Sequence, residues 1–273
     1  MTFHRFENYE ARTRAVHLST GQTRKIVGNY IFFGHVKKDA GTGSVAHYHP
    51  NDYMIFILEG KAHALCGKDR RIIMPGTLMH VPPSAQHQLK AAEDGYMCYL
   101  AIKEPTWSMV GAAVDEPLPD APPVEEEVWA KHAKGEWPGQ DKDPKKSSAI
   151  FDGFGTAYYT MIDDFDAPAI SGKSERRVMG ERLNFGFCDF PKGHEEPLHA
   201  SEHERFIYVV RGGLEVSVDG DSQKCGRDDV VEIPKGRKVS LKVTDGPARF
   251  VSVESKTELE NLVDSQGSYE NGS

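Results

Sequence analysis

Three histidines in the first third of the chain have the types and spacing of metal ligands. His47 and His49 are separated by one residue, and His87 follows Pro82 by five positions. Because alternate residues of a β-strand point to the same face, the first two imidazoles can reach one point. Neutral imidazole nitrogens are ligands that zinc, iron, copper and nickel accept in proteins. The pattern predicts a divalent transition-metal site at His47, His49 and His87.

Three neighbouring side chains are candidates for further roles at this site. Tyr53 shares the strand face of His49, whereas Asp52 points to the opposite face unless a bulge shifts the register. Three alternatives stay open: the histidines alone, Asp52 as a fourth ligand, or the Tyr53 oxygen as a direct or water-mediated ligand. As a catalytic group, Tyr53 would orient the substrate or donate a hydrogen bond to a developing oxyanion; otherwise it lines the cavity. His80, on the next predicted strand, is expected to reach the substrate or to support the ligands.

The elements that must position these residues occur twice. The chain matches itself at an offset of 152 residues, without a gap across residues 33–90. Many of the matched residues are glycine or proline, which mark turns. We infer that one supersecondary unit has been duplicated into two similar domains. The matched pairs include Phe33/Phe185, Gly34/Gly186, Gly41/Gly193, His47/His199, Ile55/Ile207, Gly60/Gly212, Pro82/Pro234, Leu89/Leu241 and Lys90/Lys242.

Each copy contains short runs of apolar, β-branched and aromatic residues bounded by turn residues. Continuous apolar runs of this length predict strands that are buried on both faces. Many such strands in series indicate an all-β sandwich or closed barrel. The predicted strands are Tyr53–Leu58, Ala62–Cys66, Leu78–Val81, Gln88–Ala91 and Tyr96–Ile102, then Phe206–Val210, Leu214–Val218, Val230–Ile233, Val239–Val243 and Ala248–Val253.

A connector of different composition, residues 104–148, separates the two copies. It is rich in proline and contains all three tryptophans of the chain. Because a floppy linker does not normally carry every tryptophan of a protein, we expect the connector to pack on a barrel. One short helix is predicted near Val124 to Lys134, and a lid over the metal site is the alternative role for the connector. The predicted domains are therefore 1–103 and 149–256, with a short helix at Thr257 to Val263 and a frayed tail to residue 273.

The composition excludes several classes of function. The net charge is −8, from 33 basic and 41 acidic residues. The sequence contains no long basic run, so nucleic-acid binding is not expected. No run of 18 apolar residues predicts a membrane span. The four cysteines are scattered, which predicts reduced thiols in a cytoplasmic protein rather than disulfides or a cysteine metal site. They are Cys66, Cys98, Cys188 and Cys225.

Together these residues resemble the cupin superfamily, and specifically a bicupin. The family's first motif is a glycine, His-x-His, a carboxylate and a glycine, and its second is a proline followed five residues later by histidine. The resemblance covers about residues 30–103 and 180–254. It implies two tandem barrels of the jelly-roll, or double-stranded β-helix, type, and a homodimer as the default partner. The matching residues are Gly41, His47, His49, Gly60, Pro82 and His87, whereas Tyr53 occupies the carboxylate position.

A cupin with three histidines and no carboxylate resembles gentisate-type and diketone-cleaving dioxygenases. This resemblance implies Fe(II), dioxygen and cleavage of a C–C bond in a small aromatic or diketone substrate. Imidazole also suits other metals, so a zinc, manganese or nickel lyase, isomerase or hydrolase is an alternative. In that alternative, Tyr53 would act as the acid or base. A non-enzymatic bicupin that binds a small molecule is the third hypothesis.

The second copy lacks the ligand pattern of the first. His199, Ser201 and Val239 occupy the positions of the three histidines, and Arg205 occupies that of Tyr53. One imidazole cannot hold a divalent metal without other ligands, and an arginine opposes a cation. We therefore expect the second barrel to be structural or a dimerisation platform, with an anion pocket at Arg205 as the alternative.

Overall fold

The computed structural model describes residues 1–105, 112–114, 120, 124–135 and 155–256. These residues are mostly β-structure, which confirms the all-β class. The chain divides into two compact units. The N-terminal unit contains Tyr9–Ile26 and Phe32–Phe165, and the C-terminal unit contains Met1–Asn8, Val27–Ile31 and Asp166–Ser273. The helix predicted at Thr257 to Val263 lies outside the described residues.

Thirteen strands precede the second repeat in the described part of the chain. They are β1 (Phe3–Arg5), β2 (Arg12–Thr13), β3 (Gln22–Val27), β4 (Phe32–Lys38), β5 (His47–Tyr48), β6 (Tyr53–Glu59), β7 (Ala62–Cys66), β8 (Asp69–Ile73), β9 (Thr77–Val81), β10 (His87–Ala91), β11 (Met97–Lys103), β12 (Ala112–Ala113) and β13 (Tyr158–Thr160). A 3₁₀ turn covers Phe6–Asn8, and helix α1 covers Glu125–Ala133. The later strands are β14 (Ser174–Met179), β15 (Leu183–Phe190), β16 (Glu195–Ala200), β17 (Arg205–Arg211), β18 (Leu214–Val218), β19 (Asp221–Cys225), β20 (Asp229–Ile233), β21 (Lys238–Val243) and β22 (Ala248–Ser255).

The N-terminal unit is a sandwich of two antiparallel sheets. One sheet has the order β13-β9-β6-β11-β4-β3-β2, and the other has the order β12-β5-β10-β7-β8. Inward-facing side chains from both sheets form one core, including Ile55 and Ile57 of β6, Met79 of β9 and Leu89 of β10. The sandwich carries the jelly-roll arrangement expected from the sequence. Two of the three histidines lie on the paired strands β5 and β10, and His49 follows β5.

The C-terminal unit repeats this arrangement. Its sheets have the orders β1-β20-β17-β22-β15-β14 and β16-β21-β18-β19. Strands β17 to β20 begin and end 152 residues after β6 to β9, which confirms the duplication inferred from the sequence. All four cysteines are buried and free, as predicted.

Two short strands make the unit boundaries differ from those predicted. Strand β1 pairs with β20, where Phe3 lies opposite Val231, so residues 1–8 belong to the C-terminal unit. Strand β13 pairs with β9, where Tyr158 lies opposite Met79, so this strand belongs to the N-terminal unit. Strands of three residues carry too little pattern for the sequence to assign them to a sheet.

Helix α1 lies where the sequence predicts a helix. Three glutamates occupy its first turn, and Lys131 and His132 occupy its last turn, which complements the helix dipole at both ends. Gly135, at a φ of 69°, follows the last turn, as is typical of a helix that ends in a left-handed residue. No described helix is both long enough and apolar enough to cross a membrane.

Candidate metal centre

Pairing of β5 with β10 brings the three predicted ligands together. His47 lies directly opposite His87 in this antiparallel pair, and their ring centroids are 4.2 Å apart. His49 follows β5, and its ring centroid lies 4.9 Å from that of His87 and 6.3 Å from that of His47. His49 and His87 are buried, and His47 is partly buried.

A backbone carbonyl fixes the orientation of each of these imidazoles through a hydrogen bond. In all three rings Nδ1 lies at hydrogen-bond distance from a backbone carbonyl two residues away, so Nδ1 carries the proton as the donor. The remaining nitrogen, Nε2, then keeps its lone pair, which is the arrangement that orients metal-bound histidines. The acceptors are Val45 O for His47 at 2.8 Å, Asn51 O for His49 at 3.0 Å and Ala85 O for His87 at 3.0 Å.

The three imidazole nitrogens are chemically suited to bind a divalent cation. Nε2 of His49 and Nε2 of His87 are buried and have no hydrogen-bond partner among the described residues. Burial lowers the pKa of all three histidines, to about 3 for His87, so that the rings are neutral at pH 7. No group of three His, Cys, Asp or Glu side chains in the described part of the chain is already arranged to hold a metal. Binding therefore requires the three rings to turn toward a common point.

Tyr53 and Asp52 lie on opposite faces, as strand parity predicts. The Tyr53 ring centroid lies 5.4 Å from that of His49 and 5.8 Å from that of His87. Burial raises the pKa of Tyr53, so its hydroxyl stays protonated and can donate a hydrogen bond. Asp52 is fully buried and does not line the cavity beside the histidines; its Oδ2 lies 3.6 Å from Nε2 of His80.

The structure does not bring His80 to the histidine cluster, although the sequence predicts it there. On β9 its neighbours Met79 and Val81 point into the core. Because side chains alternate along a strand, His80 points to the other face, next to Asp52. His80 is therefore placed outside the candidate site.

The cluster opens into a cavity of about 90 Å³ with an unusual charge distribution. Its lining includes Arg14, Lys38 and Lys103 together with the three histidines and Tyr53, and includes no Asp or Glu from the described residues. Burial lowers the pKa of Lys38 and of Lys103 to about 7 each. The apolar part of the wall comes from residues such as Ile55 and Leu89.

Sequence reasoning missed these three cations. Strand parity could have found Lys103, because Tyr99 and Ala101 of β11 face the core and Lys103 continues the same face. The same argument applies to Lys38, two residues after the inward-facing Val36 on β4. Arg14 has no such signal, since it follows the two-residue strand β2.

The corresponding position in the C-terminal unit holds an ion pair. Arg205 donates to both carboxylate oxygens of Glu196, at 2.8 and 3.3 Å, and to Ser252 Oγ at 2.8 Å. Glu196 therefore takes the place that an external anion would need. His199 is exposed, and its Nδ1 lies 2.8 Å from Pro197 O, which repeats the contact that His47 makes with the carbonyl two residues before it.

Comparisons with known proteins agree with this architecture. A family model described as a cupin domain matches residues 34–103 and 186–254, which is just over half of the chain. Among solved structures, the Bacillus subtilis oxalate decarboxylase studied for its Mn(II) centres has a TM-score of 0.63 and 13% sequence identity, covering 94% of this chain and 78% of that chain. A substituted form of that enzyme gives a TM-score of 0.64 at 14% identity, with the same coverage. The comparison with curated proteins finds no match.

Proposed function

The chain belongs to the cupin family, and on that basis we propose that it is a metal-dependent enzyme with its centre at His47, His49 and His87. The reaction we propose is the non-oxidative cleavage of a C–C bond in a small, oxygen-rich substrate. The observation that carries the proposal is the group of three neutral imidazoles, each held through Nδ1, beside a cavity lined by cationic side chains.

The metal that we propose first is Mn(II). The Bacillus subtilis enzyme of similar fold is an oxalate decarboxylase with Mn(II) centres, which supports a manganese lyase more than an iron oxygenase. Three imidazoles do not select one metal, so Fe(II), Zn(II) and Ni(II) remain alternatives. A bound divalent cation would supply Lewis-acid stabilisation of negative charge on the substrate's oxygen atoms.

The chain's own residues would perform the remaining tasks. The protonated Tyr53 hydroxyl would donate a hydrogen bond to the oxyanion that develops when the C–C bond breaks, and would orient the substrate. The cationic walls would draw an anionic substrate into the cavity. Apolar side chains such as Ile55 and Leu89 would exclude water and strengthen these interactions.

An Fe(II) dioxygenase is the second candidate, and one observation favours it. The described residues that line the cavity include no carboxylate, so three neutral ligands would leave the charge of the metal uncompensated. This is the ligand set for which the sequence resembles the gentisate-type and diketone-cleaving dioxygenases. The two candidates differ in whether dioxygen is consumed as a substrate.

Metal analysis and oxygen uptake together test the proposal. The purified protein, reconstituted in turn with Mn(II), Fe(II), Zn(II) and Ni(II), is assayed with 2-oxo acids, hydroxy acids, catechols and diketones. We expect about one bound metal per chain, and product formation without stoichiometric uptake of dioxygen. Uptake of one dioxygen per product would favour the dioxygenase. A protein that neither binds metal nor turns over any substrate would indicate the non-enzymatic binding bicupin.

A further inference from the structure

Lys103 has a buried amino group that lacks a hydrogen-bond acceptor among the described residues. It is the last residue of β11, its exposed fraction is 8%, and it lines the cavity of the three histidines. Its Nζ lies 4.6 Å from the ring centroid of Tyr53, which is its cross-strand partner on β6. A lysine has three donors, and burying an ammonium group is costly unless it is paired.

The neighbouring carboxylate compensates the charge of Lys103 only in part. Glu104 is buried, and its Oε1 accepts a hydrogen bond of 3.1 Å from Asn51 Nδ2. Its charge raises the pKa of Lys103, but burial and the charge of Arg14 lower that pKa by more. The aromatic face of Tyr53 offers only partial compensation, because a cation–π contact supplies no hydrogen-bond acceptor for the donors of Lys103. The donors of Lys103 are therefore available to a group that enters the cavity.

The other two cations of the cavity already have oxygen partners. Two guanidinium nitrogens of Arg14 donate to Glu125, at 3.1 and 3.3 Å. Nζ of Lys38 donates to Leu89 O at 2.9 Å. Arg14 keeps one buried nitrogen, Nη1, without a partner, whereas Lys103 has no acceptor for any of its donors among the described residues.

We propose that Lys103 binds a carboxylate of the substrate, and that the substrate is a small dianion with one end at the three-histidine metal and the other at Lys103. This inference rests on the proposed metal centre. The size of the cavity supports a compact acid, since a water molecule needs roughly 10–15 Å³ by the same measure and the cavity has about 90 Å³. The absence of acidic residues from the described lining supports a dianion, because no Asp or Glu there competes for the metal or for Lys103.

Two ligands of equal size and different charge test this assignment. Malonate is a dianion, and malonamate replaces one carboxylate by a neutral amide. Calorimetric titration of the metal-loaded protein should show that malonate binds at least about tenfold more tightly, as expected for one charge-assisted hydrogen bond. In Lys103→Met this preference should disappear, and Lys103→Arg, which keeps the charge, should retain part of it. Lys37→Met, which removes an exposed lysine of β4, is the matched control and should bind as the wild type does.

Three results would overturn the assignment. They are a wild-type protein that binds the two ligands equally, a Lys103→Met variant that keeps the preference for malonate, and a Lys37→Met variant that loses it. If Lys103→Met fails to fold, the Lys103→Gln variant and the comparison of malonate with malonamate binding by the wild type still test the assignment. The metal content of the same samples is measured by mass spectrometry. This measurement distinguishes an incorrect assignment of Lys103 from an incorrect assignment of the metal centre. A protein without metal contradicts the proposed function, whereas the ligand preference still reports on Lys103.

Discussion

At the scale of single residues, the candidate site depends on backbone carbonyls as much as on the histidines. Val45, Asn51 and Ala85 each hold one Nδ1, so that every Nε2 is left with its lone pair. The spacing of the histidines predicts that their rings lie close together. The structure places their ring centroids 4.2–6.3 Å apart but does not turn them toward a common point. The sequence does not reveal the carbonyl contacts, because they depend on local backbone geometry that no residue type specifies.

Removing one imidazole tests whether the three act as ligands. We expect His87→Ala to lower bound metal from about one per chain to near zero, because two imidazoles hold a divalent cation poorly in the absence of a carboxylate. Metal content after exhaustive dialysis, measured by mass spectrometry, checks this. His63→Ala, which removes an exposed histidine of β7, is the control and should keep its metal. Equal metal content in the two variants would contradict the assignment.

Lys38 should make stability depend on pH. Burial lowers its folded-state pKa to about 7, whereas the unfolded value is about 10.4, so the unfolded chain binds more protons between these values. The free energy of unfolding should therefore rise with pH through this window. Lys38→Met should reduce the slope between about pH 7 and 7.5, below the titration of unfolded cysteine and tyrosine. Urea unfolding of the metal-free proteins measures it, and parallel wild-type and variant curves would contradict the prediction.

At the scale of elements, the connector contributes directly to the walls around the site. Strand β12 pairs with β5, placing Ala113 opposite His47. Glu125, the first residue of α1, binds the cavity-lining Arg14. The sequence predicts the helix and its packing on a barrel from composition. It does not predict the Arg14–Glu125 contact, because the two residues are far apart in the chain and neither belongs to a motif.

Breaking this contact should loosen the helix. Both side chains are buried, and removal of one partner from a buried ion pair costs about 3–5 kcal/mol. We expect Glu125→Gln to lower the free energy of unfolding by about 1–3 kcal/mol. This loss is smaller because the amide keeps the shape of the side chain and one acceptor oxygen. Glu126→Gln, at the exposed next position, should have little effect. Urea unfolding followed by tryptophan fluorescence is suitable because Trp129 lies in α1, and equal midpoints for both variants would contradict the prediction.

At the scale of the whole molecule, one duplicated framework carries two different interiors. The offset of 152 predicts the strands, since turns and buried runs follow the same spacing in both copies. It does not predict β8 and β19, because most of their residues are polar, or the assignment of β1 and β13 to their sheets. Among the described residues, the three-histidine cluster has no counterpart in the C-terminal unit, where Arg205 and Glu196 form an internal ion pair at the position of Tyr53.

A matched pair of glycines tests the duplicated framework. Gly60 and Gly212 have φ values of 76° and 79°, and a Cβ at either would meet a backbone carbonyl oxygen, of Tyr96 and Pro247 respectively. Gly60→Ala and Gly212→Ala should each destabilise their own unit by more than about 1 kcal/mol.

The control for this pair is Gly220→Ala, which has a φ of 88° and no neighbouring atom, so that it measures the backbone cost alone. Gly60→Ala should shift the transition seen by tryptophan fluorescence, because all three tryptophans lie between residues 107 and 137. Gly212→Ala should leave metal content unchanged. If neither variant is less stable than the control, the contact between the added Cβ and the carbonyl oxygen of Tyr96 or Pro247 does not affect stability.

The pairing of β1 with β20 also bears on how the protein is made. A ribosome synthesises Phe3–Arg5 more than two hundred residues before their partners, Asp229–Val231. At a translation rate of about 5–20 residues per second, about ten seconds or more pass between the synthesis of β1 and that of β20. During that interval the backbone donors and acceptors of β1 are open to other strands. Strands β5 and β10, which carry two of the candidate ligands, pair only with strands that are synthesised before β20.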